Sequence, residues 1–577
     1  MRGSGLRAAA LLGLGVLTLA APVWAASQSG ARALRFLQER QAMRYQNVER
    51  LVLAFYYPWY GSLEKQGRWI HWEGVDAASQ QIASATHYPL LGPYDSHDPA
   101  VIDRHFSWAK DAGIDGLIVS WWGAGDFTDR AMPLLLDHAA QHGLKISIYW
   151  ETVPYDTAEE RIRWGTIDLA YVLRRYGDHP AFLKVDGRPV IFVYGRVMGQ
   201  IGFYEWPAIV EQAETAYGGP FLLIADGIQR SNAALFDGVH AYNPVGWVVR
   251  TPPARLAEVS RATYAGEVEI ARRAGKIAAV TVIPGYDDTK IRTPGLKAER
   301  NEGRTYKTLW EAAIAAAPDW ILITSFNEWH EGSEIEPSAE YGETYLSITR
   351  RMSAAFKASP RRSAASGPGR SGRWQAVREA FGDRPIGVLP DLSPMSPIVF
   401  TLSEAGLKLR FLERTEVAAG LDPAVVPAVL YAGGEHFVQT AEAPQDVLRG
   451  LQQYLERGGL LIAAPALPLP FYYDGEGRAV KADTALGFRI FGTGQAPLPG
   501  WEQPPAGVDL FFEVNTDALP AADARLPFPA GGDLRWRPMG RFGLAPDDVY
   551  VPLVTLKGGN GESFGDAAAY VEHRQSA

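Results

Sequence analysis

Between Leu51 and about Phe356, short runs of β-branched and other apolar residues alternate with longer amphipathic stretches, and this alternation limits the fold more than any other feature. A short apolar run bounded by turn residues reads as a strand buried on both faces, which demands helices over both sides of the sheet. Eight such runs occur: Leu51–Tyr57, Gly116–Trp121, Lys145–Trp150, Val190–Tyr194, Phe221–Ala225, Gly238–Tyr242, Ile277–Ile283 and Trp320–Ser325. Helical candidates between them include Pro99–Ala112, Ala131–His142, Ala158–Tyr176, Ala254–Ala274 and Thr305–Ala316. The fifth unit is the weakest, because Gln229–Leu235 leaves little room for a helix. Eight strands with a helix after most of them, over about 300 residues, fit a (β/α)8 TIM barrel.

The chain has 577 residues, so a barrel leaves material for more than one unit. Arg2 and Arg7, the apolar stretch Ala8–Ala21 and the small-residue site Val23-Trp24-Ala25 read as a secretory signal over residues 1–25, cleaved after Ala25. The run is too short to span a bilayer, so no membrane association is expected after cleavage. Residues 26–356 are expected to form the barrel. Residues 357–375, with Ser359-Pro360-Arg361-Arg362-Ser363 and Gly367-Pro368-Gly369, read as a linker. In residues 376–577, Ile386–Leu389, Ala428–Tyr431 and Leu460–Ala463 look like buried parallel strands, with helices at Ser403–Leu407 and Pro444–Arg457 and a stop at Gly458-Gly459. The expectation is a smaller doubly wound α/β domain; beyond Pro465 only Ala567–Glu572 reads clearly as a strand.

Composition excludes several chemistries. The formal charge of −9 offers no overall attraction to nucleic acid. The absence of cysteine removes thiol nucleophiles, disulfides and thiolate metal sites. His71, His97, His105, His138 and His142 lack a His-Glu-x-x-His pattern, and Gly433-Gly434 and Gly458-Gly459 lack the flanking residues of a phosphate loop, so neither a metal nor any other cofactor is expected. The 17 Trp and 25 Tyr instead suggest pockets for ring-shaped ligands, with carbohydrate first among them.

In a barrel the site lies at the C-terminal strand ends. Here those ends carry Tyr56-Tyr57-Pro58-Trp59-Tyr60, with Trp69-Ile70-His71-Trp72 further along the loop. They continue with Ser120-Trp121-Trp122, Tyr149-Trp150-Glu151, Tyr242-Asn243, Pro284-Gly285-Tyr286-Asp287-Asp288 and Ser325-Phe326-Asn327-Glu328-Trp329-His330-Glu331. Aromatic and acidic residues therefore gather at one end, and Trp59, Trp121, Trp122 and Tyr286 are candidate walls for sugar faces. The three-residue spacing of Glu328 and Glu331 can aim two carboxylates into one cavity, as glycoside cleavage requires. The same spacing also suits two solvated acids opening a helix.

The segments Tyr56-Tyr57-Pro58-Trp59-Tyr60-Gly61, His71-Trp72, Tyr88-Pro89-Leu90-Leu91-Gly92-Pro93-Tyr94-Asp95-Ser96, Ser120-Trp121-Trp122-Gly123, Pro284–Asp288 and Thr324–Gly332 resemble glycoside hydrolase family 99, the endo-α-mannosidase family. The resemblance implies a (β/α)8 barrel that cleaves internal α-mannosidic bonds with retention. It implies Glu328 and Glu331 as the catalytic pair, acting through O2 participation and a 1,2-anhydro sugar. Glu151 and Tyr242 match further family positions, and Tyr57, Trp59, His71, Trp72, Trp121, Trp122, Tyr286, Asp287 and Asn327 complete the expected substrate-binding set. The chain departs from the family at its third strand, reading Tyr149-Trp150-Glu151-Thr152-Val153 where His-x-Glu-Pro-Tyr is usual. The C-terminal unit is similar to a class I glutamine amidotransferase-like accessory domain, without the cysteine that chemistry needs. The resulting expectation is an exported endo-α-mannosidase acting on α-mannoside-containing oligo- or polysaccharide. The alternative is a non-hydrolytic carbohydrate-binding or polysaccharide-assembly protein.

Overall fold

The computed structural model describes residues 26–45, 48–360, 372–389, 397–431, 436–438, 440–463, 471–473, 479–481, 509–519, 524–527 and 546–572. The expected signal segment and the Gly433-Gly434 turn lie outside them. Two compact units result, Phe36–Gly369 and Arg370–Ala577, with Val23–Arg35 assigned to the second.

The first unit is a closed barrel of eight parallel strands: β1 Leu51–Tyr56, β2 Gly116–Trp121, β3 Lys145–Trp150, β4 Arg188–Val193, β5 Leu222–Asp226, β6 Gly238–His240, β7 Ile277–Val282 and β8 Trp320–Ile323. Neighbours pair in sequence order, β8 returns to β1 through Leu51↔Trp320 to Ala54↔Ile323, and β3 pairs β4 directly. Every residue of β1, β2, β6, β7 and β8 is buried, as strands enclosed on both faces must be. Alternation sends Leu53, Phe55, Ile118, Val190, Phe192, Ile224, Ile277, Ala279, Trp320 and Leu322 into one continuous core cluster.

Helices α1 Pro99–Asp111, α2 Phe127–His142, α3 Ala158–Val172, α4 Trp206–Tyr217, α5 Arg230–Leu235, α6 Leu256–Arg273, α7 Arg304–Ala316 and α8 Thr344–Ala358 follow the strands in turn. Local chemistry sets their starts: the side chains of Asp98, Asp126 and Thr157 each accept a backbone N–H in the first turn. Gly143 and Gly218 close α2 and α4 in the left-handed region that favours glycine. The thin fifth unit has a helix of only six residues, and α3 gives way at Val172 to a π turn, Leu173–Gly177. That turn brings the Tyr176 hydroxyl to the Asp129 carboxylate at 2.9 Å.

The interdomain segment is shorter than 357–375, because α8 continues to Ala358 and another helix begins at Gly372. The second unit opens with a parallel sheet in the order Leu409–Phe411, Ile386–Val388, Ala428–Tyr431, Leu460–Ala463. Its helices include Pro397–Glu404, which starts earlier than expected, and Asp446–Glu456. The parallel arrangement expected for residues 376–577 is thus found up to Ala463. Further on, Arg525–Pro527, Leu510–Val514, Val549–Gly558 and Ser563–Glu572 form an antiparallel sheet in that order.

Candidate active site

The loop after β8 carries the acid pair, and it is pinned from the side of β1. Asn327 is fully buried; its Oδ1 accepts from Tyr57 N (2.8 Å) and its Nδ2 donates to Tyr57 O (3.1 Å). The Tyr60 hydroxyl donates to Asn327 O and accepts from Trp329 N, each at 3.1 Å. Asp287 N donates to Glu331 O at 2.7 Å, so the β7 loop supports the far end. Below, Glu336 accepts from Tyr94 OH (2.8 Å) and Trp329 Nε1 (3.1 Å) and lies 3.1 Å from His105 Nε2.

Glu328 and Glu331 occupy different surroundings. Glu328 is 2 % exposed; its backbone N–H donates to Ser325 Oγ (2.7 Å), and its Oε1 accepts from His330 N (3.1 Å) and lies 3.2 Å from His330 Nδ1. His330 Nε2 donates to His71 O at 2.6 Å. With an acceptor at each ring nitrogen, the imidazolium is the form that satisfies both. Burial opposes that charge, but the Glu328 carboxylate outweighs it and holds His330 above its ordinary range. At Glu331, Oε2 accepts from Tyr242 OH (3.0 Å) and Oε1 accepts from both terminal nitrogens of Arg292 (3.1 Å each). Burial and the nearby Glu328 charge push the Glu331 carboxyl up to about 7 against the pull of Arg292 and Tyr242.

Tyr57 and Tyr242 are joined, the Tyr57 hydroxyl donating to Tyr242 OH at 2.7 Å. Glu151 is buried at the end of β3 and accepts from Ser120 Oγ at 2.8 Å, while Ser120 Oγ accepts from Trp122 Nε1 at 3.0 Å. Burial drives the Glu151 carboxyl up to about 8; the Ser120 hydrogen bond and the Arg196 charge oppose the rise, and Glu328 and Glu331 add to it. Trp59 stacks on His71 with ring centroids 4.7 Å apart, and Trp122 lies 6.5 Å from Trp59.

The structure therefore brings together Glu328, Glu331, Glu151, Tyr57, Tyr242, Trp59, His71, Trp122 and Asn327, the last as a brace. Four other expected substrate contacts are placed differently. Trp121 is fully buried, with Nε1 donating to Asp129 Oδ1 (2.8 Å) on α2, because alternation along β2 turns it outward while Ser120 faces Glu151. Trp72 is also core: it stacks on Tyr60 at 4.0 Å and donates to Tyr94 O. Tyr286 is buried, and its hydroxyl donates to Asp288 Oδ2 (2.9 Å) and accepts from Arg292 (2.7 Å). It props Arg292 and offers no free wall. The Asp287 carboxylate accepts from Thr289 and lies 3.5 Å from Lys297.

Sequence reasoning did not single out Arg292, Arg196, Tyr194, Asp226 or His330 as site residues. His330 lies between the two acids and Asp226 directly follows an expected strand, so position alone marks both. Arg292 and Arg196 are loop arginines with no pattern around them. Among the described residues, no three His, Asp or Glu side chains gather as a metal ion would require.

Residues 47–345 match the sequence profile described as Glycosyl hydrolase family 99. The chain is 30% identical over 320 residues to a glycoprotein endo-alpha-1,2-mannosidase of Xenopus laevis, a match covering 49% of this chain and 68% of that one. To the protein of that name from Mus musculus it is 28% identical over 356 residues, covering 52% and 74%. A solved structure, the GH99 endo-alpha-mannosidase from Bacteroides thetaiotaomicron, matches at 29% identity and a TM-score of 0.46, over 55% of this chain and 100% of that one. The profile takes in all eight barrel strands and both acids of the β8 loop: the chain belongs to glycosyl hydrolase family 99 and is a glycoside hydrolase.

Proposed function

We propose that the protein is an exported, retaining endo-α-mannosidase that cleaves internal α-mannosidic bonds of a glycan chain with Glu328 and Glu331 in unequal roles. The observation that carries the reading is the contrast between these carboxylates. Glu328 lies against the His330 imidazole, which suits a group that must be ionised at the start. Glu331, raised to about 7, is balanced to give a proton and take one back.

In mannose the axial O2 lies opposite an α-leaving group. Glu328 takes the O2 proton as O2 attacks C1, and Glu331 protonates the departing oxygen, leaving a 1,2-anhydro sugar. Glu331, now a carboxylate, then takes a proton from water as that water attacks C1, and O2 regains its proton from Glu328. Two inversions give net retention. Tyr242 and Arg292, both donors to Glu331, favour the carboxylate the second step needs. Trp59 and Trp122 supply aromatic faces beside the pair. The second unit takes an accessory, non-catalytic part in this reading. Export rests on the N-terminal signal pattern and is tested by N-terminal sequencing of protein recovered outside the cytoplasm.

The deciding experiment incubates the protein with α-mannan and manno-oligosaccharides and follows released oligosaccharides and their anomeric form. Glu331→Gln is expected to be partly rescued by a substrate whose leaving group needs no proton; Glu328→Gln is not, because O2 activation is required whatever departs. An inverted first product, or a covalent ester trapped on Glu328, overturns the mechanism.

A further inference from the structure

Beside the acid pair a cavity of about 320 Å³ opens between the loops after β4, β5 and β6, lined by Tyr194, Gly195, Arg196, Asp226, Ala241, Tyr242 and Asn243. Tyr242 is the wall it shares with Glu331. Its volume suits a small group such as a single sugar unit.

Several acceptors of the lining are already engaged by the protein. The Asp226 carboxylate is already engaged: Oδ1 accepts from Tyr242 N (3.0 Å), and Oδ2 accepts from Gly195 N (3.0 Å) and Tyr149 OH (3.2 Å). Asn243 Oδ1 accepts from Val245 N at 2.8 Å, which fixes the amide and leaves both N–H groups able to donate to a ligand. Arg196 is exposed and lies over the rings of Trp122 (5.0 Å) and Tyr194 (5.5 Å), and no carboxylate of the described residues is within ion-pair distance of it. A guanidinium offers five donors and no acceptor. Of the neighbouring acids, Glu331 is paired with Arg292, and Glu151 is held largely protonated at neutral pH by its burial. The Asp226 carboxylate shares the lining with its oxygens turned to three protein donors, and Arg196 is the charged group there whose donors meet no carboxylate of the described residues.

We propose that this cavity is a subsite for an anionic substituent on the glycan, a carboxylate or a phosphate ester, and that Arg196 is the residue that selects it. The proposal rests on the mannosidase reading for the reaction but not for the binding. Aromatic support beneath Arg196 holds the guanidinium plane in place, so little side-chain freedom is lost when two oxyanion oxygens take its paired N–H groups.

The test compares three matched series of manno-oligosaccharides, neutral, uronic-acid-bearing and phosphate-bearing, on the full chain. One charged series is expected to exceed the neutral one in kcat/KM by about tenfold or more, as a charge-assisted contact supplies. Which series wins identifies the oxyanion. Arg196→Gln should bring the ratio close to one, and Arg196→Lys should keep part of it, both melting as the unaltered protein does. Calorimetry with free glucuronate, glucose 6-phosphate and glucose reads binding without turnover: one of the anions should bind more tightly than glucose, and the difference should vanish in Arg196→Gln. If no mannoside is cleaved while this binding difference holds, the mannosidase reading fails and the subsite stands. Equal kcat/KM for neutral and charged series, equal binding of anions and glucose, or a ratio unchanged by Arg196→Gln overturns the proposal.

Discussion

Arg292 is the group whose removal tests most directly how Glu331 works. Its guanidinium lies 3.1 Å from Glu331 Oε1 and 2.6 Å from Asp288 Oδ2, with its side chain half in solvent and that of Glu331 mostly buried. Opposite unit charges about 4 Å apart attract by about 4 kcal/mol at an effective dielectric of 20. Half-exposure of the cation cuts this to roughly a third, about 1.4 kcal/mol, which corresponds to about one pH unit. The attraction favours the Glu331 carboxylate, so in Arg292→Gln the proton is held more tightly. Because the first step needs Glu331 protonated, kcat/KM falls as pH rises through its titration, and the variant's basic limb should move to higher pH by about one unit. The assay is the pH dependence of kcat/KM on an unactivated manno-oligosaccharide, with Arg292→Lys as the charge-keeping control. A substrate with an activated leaving group should lose most of the limb in both proteins. A limb that stays in place or moves to lower pH in Arg292→Gln would refute the assignment of Glu331 as the acid.

Glu151, with its carboxyl raised to about 8 by burial, holds a proton that the unfolded chain releases in the ordinary carboxylate range, so stability is lost as pH rises from that range through 8. Glu151→Gln should therefore melt higher than the parent at pH 8 to 9, by a few degrees, with the gap closing toward pH 4; scanning calorimetry across pH checks this. Trp121→Ala should cost about 3–5 kcal/mol in denaturant unfolding, since it empties a fully buried site and removes a partner of Asp129. Trp122→Ala, by contrast, should weaken substrate binding with a smaller stability loss.

The barrel was legible because each strand is an apolar run and polar residues mark its ends; β2 and β3 fall on the residues expected, and the boundaries of the other strands differ by at most two residues. In the second unit, Leu409–Phe411 escaped notice because Arg410 interrupts a three-residue run. At the site, the acids, Tyr57, Tyr242 and Trp122 were readable from their places at strand ends. Trp121 was misread because a strand end fixes depth in the barrel but not side, and side is set by the alternation that turns Ser120 inward. Arg292 and Arg196 had no sequence signal, since their roles arise from contacts made across loops that are distant in the chain.

The two-way hydrogen bonding between Asn327 and the backbone of Tyr57 imitates one more rung of the β1–β8 ladder, beyond Ala54↔Ile323 where the strands stop pairing. A side-chain amide thereby substitutes for a peptide group, and the catalytic loop inherits the register of the sheet. For protein engineering and for divergence within such a scaffold, residues 327–331 have a fixed length: inserting or deleting one residue there would shift Glu331 relative to Glu328. The segment from Thr289 to Gly295 is bound by a second measure of length, because it carries Arg292 to Glu331 Oε1, so a residue gained or lost there would part the guanidinium from the acid it serves.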